Sequence, residues 1–175
     1  MSHWTPEQSR VLVAGVDESG RSTIARDGRV LHAKQQPNGA RVEELWRQVE
    51  LPATVDDYGT PSLDPEPPAP QRAVTVVKFT LPPRAGMEGP GDYAALVSAY
   101  GEGNVERPDQ PGAILHRAPV MLVMTATNKS AIIATDSGEF EVSAGETIVL
   151  PATWHDWRNP HDEAVTFIAT LFPMS

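Results

Sequence analysis

Two histidines, His116 and His155, are the residues of this chain best suited to moving a proton. An imidazole titrates close to neutrality, so one ring can accept a proton while another gives one. Each is equally suited to a packed role in which the ring bonds a backbone carbonyl. The chain has no cysteine, which excludes a thiolate nucleophile, a disulfide and a sulfur-rich metal centre. Side chains alternate along a strand, so residues 116, 118, 120 and 122 share one face if that stretch is extended. Of His116, Ala118, Val120 and Leu122, only the histidine can bind a metal. His155 could supply a second imidazole, but two imidazoles without a third donor hold a divalent ion weakly. Asp156 alternates away from His155, and Glu106 and Asp109 are the other nearby carboxylates. The expectation is therefore no metal and no cofactor.

Four more residues are candidates for ligand contact. Trp157 has the parity of His155 and offers an aromatic wall to a ring-shaped ligand. Asn159 suits either a turn closed through its own side chain or a ligand contact. Met124 and Phe167 read as core side chains that also suit the wall of an apolar pocket. Arg117 alternates away from His116 and is expected at the surface. The stretch AGVDESG (14–20) has glycines but neither the spacing nor the lysine of a phosphate-binding loop.

These residues need strands to position them. Strand candidates are Arg10 to Val16, Ser22 to Ala25, Ala73 to Leu81, Val120 to Thr127, Ala131 to Thr135, Glu139 to Val142, Thr147 to Leu150 and Ala164 to Leu171. Turn residues separate them: Asp17-Glu18-Ser19-Gly20, Asp136-Ser137-Gly138 and Ala144-Gly145. Glu43 to Glu50 and Tyr93 to Tyr100 suit a strand or a short helix. Between Leu51 and Gln71 the run PSLDPEPPAP cannot hold a regular ladder, since proline lacks the amide donor. Short strands with frequent turns indicate a β-sandwich or barrel.

The stretch GETIVLPATWHDWRN (145–159) resembles the second conserved motif of cupins. A glycine is followed after five residues by a proline, a tight turn, a histidine and, four positions on, an asparagine. Here these are Gly145, Pro151, His155 and Asn159, with Ala152-Thr153 where the motif's turn glycine usually stands. The first cupin motif is matched by HRAPVMLVMTATNK (116–129). His116 falls on the first ligand, Ala118 on the second, Leu122 on the carboxylate, and Lys129 on the glycine. The resemblance covers Pro111 to Phe172. It implies an all-β cupin-type double-stranded β-helix, a jelly-roll barrel, with an N-terminal β extension. One domain is expected over 1–175, with 1–71 as extension and proline-rich loop and 72–175 as core barrel.

The formal net charge is -9 and the sequence pI about 4.9. An acidic balance disfavours nucleic acid and anionic membranes, both of which select a basic footprint. The longest apolar runs, near Val120 to Met124 and Ile148 to Leu150, are far too short to span a bilayer. Met1 to Arg10 lacks an apolar run before a cleavage site, and a cytoplasmic location is expected. Two functions stay open. The first is a metal-independent isomerase, dehydratase or cyclase working by acid–base chemistry at His116 and His155. The resemblance implies a small-molecule ligand for it, of aromatic or polyketide-like kind. The alternative is a non-catalytic binding or structural cupin. A homodimer is expected, because barrels of this kind pair and the N-terminal strands leave free edges.

Overall fold

The computed structural model describes residues 8–30, 33–37, 39–49, 51, 73–86, 93–106 and 114–174. The proline-rich run 61–70 lies outside them. All-β architecture is observed. Six strands form the main antiparallel sheet, in the order β11 (Thr147–Pro151), β8 (Val120–Ala126), β13 (Val165–Pro173), β5 (Val74–Leu81), β4 (Arg41–Gln48) and β3 (Ala33–Gln35). A second sheet has β9 (Ala131–Thr135) in the centre, flanked by β10 (Gly138–Val142) and β12 (Asp156–Arg158). Two further pairs are the hairpin of β1 (Arg10–Val16) with β2 (Ser22–Arg29), and β6 (Val105–Glu106) with β7 (Leu115–His116). Among the described residues no ladder joins the two larger sheets into a closed barrel. They face each other across a shared core instead.

That core follows from alternation. In β13, Val165, Phe167, Ala169 and Leu171 are buried while the intervening residues are partly or fully exposed. Their partners in β8 and β5 have the same phase: Leu171 pairs with Leu122 and Thr75, Ala169 with Met124 and Val77, and Phe167 with Ala126 and Phe79. From the smaller sheet, Ala131, Ile133, Val142 and Trp157 enter the same apolar cluster. Phe167 is fully buried, and burying such a side chain stabilises by roughly 1.5–3 kcal/mol. Gly138 closes the β9–β10 hairpin at φ 136°, and Gly145, at φ 86°, turns β10 into β11 while its amide bonds Ala126.

The two ambiguous segments resolve differently. Residues 41–48 are a strand, because Trp46, Arg47 and Gln48 pair with Val76, Thr75 and Val74. Residues 93–100 form helix α1, which buries Leu96 against Val105 and Ile114. The register of β4 on β5 shifts between Glu44 and Trp46. A bulge of this kind inserts one residue and reverses the parity beyond it. Glu44 and Arg47, three apart, consequently face the same side.

Candidate functional site

A cavity of about 90 Å³ lies between the two sheets. Its walls are mainly apolar. Val42, Val77, Phe79, Val120, Leu122, Met124, Ala169 and Leu171 come from the large sheet, and Trp157 comes from the small one. His116, Ala118, Val120, Leu122 and Met124 all line it, although β7 ends at His116 and β8 begins at Val120, so the stretch is not one continuous strand.

The histidine pair is set by backbone pairing. The His116 amide donates to the His155 carbonyl at 2.9 Å, and the His155 amide donates back to His116 at 3.0 Å. Residues opposed in an antiparallel hydrogen-bonded pair project from one face. The rings accordingly lie with centroids 4.7 Å apart. Tyr100, from the end of α1, adds a third ring 4.5 Å from His116. Trp157 stands edge-on to His155 at 6.5 Å and packs on Phe167 at 4.8 Å.

Burial decides the protonation of this cluster. His116 is pushed down to about 3, first by desolvation and then by His155, with the Ile114 carbonyl opposing. Among the described residues no well-formed hydrogen bond reaches its Nδ1. Desolvation lowers His155 too, and the Thr153 carbonyl partly offsets it. Both rings are therefore neutral at physiological pH. The His155 Nδ1 lies 2.9 Å from the Thr153 carbonyl. A carbonyl only accepts, so Nδ1 carries the proton and Nε2 keeps the lone pair. Burial, and secondarily the Asp156 charge, raises the Tyr100 hydroxyl above its usual value, so it too stays protonated. Asp156 itself is raised to about 6 by desolvation.

A divalent ion does not fit this donor set. Ala118 and Leu122, which line the cavity on the same side of the chain as His116, present only carbon. Among the described residues no group of three or more histidine, aspartate or glutamate side chains could hold a metal ion.

The other sequence candidates separate. Met124 and Trp157 line the cavity, whereas Phe167 and Asn159 are not on its wall. Phe167 is sealed in the core behind Trp157. Asn159 is committed to the backbone. Its amide donates to the Pro82 and Glu163 carbonyls, each at 2.7 Å, and its side-chain oxygen accepts from the His161 amide. It pins the β12–β13 connection. Arg117 lies over the Trp154 ring at 4.7 Å, outside the cavity.

Sequence reading missed Tyr100 and the polar part of the wall supplied by Gln36, Glu44, Arg47 and Thr75. Glu44 and Arg47 form an ion pair at 2.6 Å, with Glu44 almost fully buried. The one available signal was the pair of opposite charges inside EELWRQVE. Strict alternation would put Glu44 and Arg47 on opposite faces, because the bulge is not written in residue types.

No family profile matches the chain and no curated protein matches it. Solved structures similar to it include a cupin 2 conserved barrel domain protein from Salinispora arenicola, with 14% identity and a TM-score of 0.44, covering 81% of each chain. The cupin domain of Cnp3 from Schizosaccharomyces pombe is 10% identical with a TM-score of 0.43, over 95% of this chain and 89% of that one. The polyketide cyclase RemF from Streptomyces resistomycificus is 14% identical with a TM-score of 0.41, over 80% and 66%.

Proposed function

We propose that this chain is a cupin-type, metal-independent enzyme that isomerises, dehydrates or cyclises a small carbonyl compound by acid–base chemistry. The observation that carries this reading is the tautomer of His155. Its Nδ1–H is held by Thr153, and its Nε2 lone pair is left available in an apolar cavity. His155 takes a proton from the carbon next to the substrate carbonyl. The Thr153 carbonyl favours the imidazolium that results. His116, neutral throughout, donates an N–H to the oxygen on which charge develops. The proton on His155 then returns to another carbon, to a departing hydroxyl that leaves as water, or, in a cyclisation, to the alkoxide formed when the enolate carbon adds to a second carbonyl of the same substrate. The Trp157 ring forms one wall for the planar intermediate.

The test is solvent-deuterium exchange into a panel of small ketones, followed by proton NMR. Wild-type protein is expected to wash deuterium into the activated position. His155→Gln should slow this by about 10²–10⁴-fold, the usual contribution of a general base. Exchange that is unchanged in the variant would overturn the assignment.

A second reading has its own observation. With His116 held near 3 and carbon at the Ala118 and Leu122 positions, the cavity also suits a binding module without chemistry. Ligand binding with no deuterium exchange would select it.

A further inference from the structure

The cavity wall contains polar side-chain atoms that have no hydrogen-bond partner among the described residues. Gln36 is 4% exposed, and neither its side-chain nitrogen nor its oxygen has a hydrogen-bond partner. Thr75 is 2% exposed, and its hydroxyl is equally unpartnered. The Nε of Arg47 is buried without a partner as well. All three residues line the cavity. Leaving such atoms buried and unpaired costs stability, and native interiors contain few of them.

We propose that Gln36, Thr75 and Arg47 form a second polar subsite, which takes a neutral carbonyl or hydroxyl group of a small, otherwise apolar ligand. This rests on the reading of the cavity as a small-molecule site. Three arguments fix the chemical class. The amide of Gln36 and the hydroxyl of Thr75 both donate and accept, which matches a group that does both. The positive charge of Arg47 is already matched by Glu44 at 2.6 Å, so an anion gains no free cation and would meet the Glu44 carboxylate. Much of the remaining wall is carbon, from Val42, Val77, Phe79 and Leu122 among others. Backbone structure holds the subsite ready. Gln36 is fixed in a turn by its own amide on the Ala40 carbonyl and by the Gly39 amide on its carbonyl. Thr75 and Arg47 face each other across the β4–β5 ladder. A ligand would thus be held at one polar group by Gln36, Thr75 and Arg47 while His155 and His116 line the same cavity.

The experiment compares phenol, toluene and benzoate as probes by titration calorimetry on the full chain. It then repeats the comparison on Gln36→Leu and Thr75→Val. Phenol is expected to bind about tenfold more tightly than toluene, as one or two recovered hydrogen bonds imply. In either variant that preference should collapse toward unity while toluene binding is retained. Both variants should also melt higher than wild type without ligand, since each removes an orphaned buried polar group. Thr75→Val is close to isosteric and keeps the test available if Gln36→Leu fails to fold. Toluene binding with no preference for phenol, or a preference that survives both substitutions, would overturn the subsite and leave the cavity reading standing. Benzoate binding more tightly than phenol would overturn the neutral class. Binding of none of the three would overturn the cavity reading and the subsite with it.

Discussion

His116 and His155 are deprotonated because they are buried, and that has consequences for both rate and stability. A general base must be neutral to work, and the His155 pKa lies below 6.5. Exchange activity is therefore expected to be flat from pH 7 to 9 and to fall only below about 6.5, a limb that should vanish in His155→Gln. The stability effect has a definite sign. Where a folded pKa is depressed, the unfolded chain binds the proton first, so stability is full above 6.5 and is lost as pH falls toward the folded value of about 3. Asp156 opposes this. Its folded pKa of about 6 exceeds the ordinary 3.8, so its ionised form costs stability above pH 6 and the cost disappears below 3.8. Asp156→Asn should consequently stabilise at pH 8 by about 1–2 kcal/mol, be neutral at pH 3.5, and make the acid limb steeper. Urea unfolding at the two pH values checks it. Equal effects at both would exclude the ionisation as the cause.

One turn in the β11–β12 connection carries visible strain. Ala152 has φ 50°, the one non-glycine residue with positive φ among the described residues. Its amide bonds the Val120 and Leu150 carbonyls, each at 3.1 Å, so the ladder holds it where a Cβ is disfavoured. Ala152→Gly should relieve about 1 kcal/mol of left-handed strain, less the entropy glycine adds to the unfolded chain, for a net gain of about 0.5 kcal/mol. A lower melting temperature would mean that Ala152 packs more productively than its φ suggests. The β4 bulge matters in another way. It places Arg47 beside Glu44 on the cavity face, and without the extra residue the arginine would face outward, away from that carboxylate.

The N-terminal hairpin is joined to the main sheet by a buried charge. Glu43 is 1% exposed, and it accepts from the Ser9 amide and hydroxyl and pairs with Lys78 at 3.3 Å and Arg41 at 3.5 Å. Ser9 immediately precedes β1, so this cluster ties residues far apart in sequence. Removing one partner of a buried ion pair typically costs about 3–5 kcal/mol. Glu43→Ala should therefore cost a few kcal/mol and speed amide exchange across β1 and β2 before the rest of the molecule. Uniform acceleration would show that the hairpin does not open separately. Leu12, Val16 and Ile24 of that hairpin remain exposed, and pairing of two copies is the expected way to cover them. Sedimentation at micromolar concentration should give twice the 18.9 kDa chain mass, and a monomer would count against pairing.

The β class, most strand positions and the shared face of His116, Ala118, Val120 and Leu122 were legible in residue order alone. Alternation and turn chemistry are local, and a period of two survives whatever the rest of the chain does. The motif spacing also marked His116 and His155 as partners. Three things needed the folded molecule. The mutual backbone bonds between His116 and His155 depend on where two distant segments meet. The neutral state of both rings and the proton on Nδ1 of His155 depend on burial and on the Thr153 carbonyl, neither of which residue type encodes. Arg47 reaches the cavity through a one-residue bulge and Gln36 through a turn, and no periodic pattern registers either. Conversely, Asn159 and Phe167 have residue types that suit a ligand. Packing alone decided that one would bond backbone and the other fill the core, because contacts between residues distant in sequence determine which polar and aromatic groups have anything left to offer.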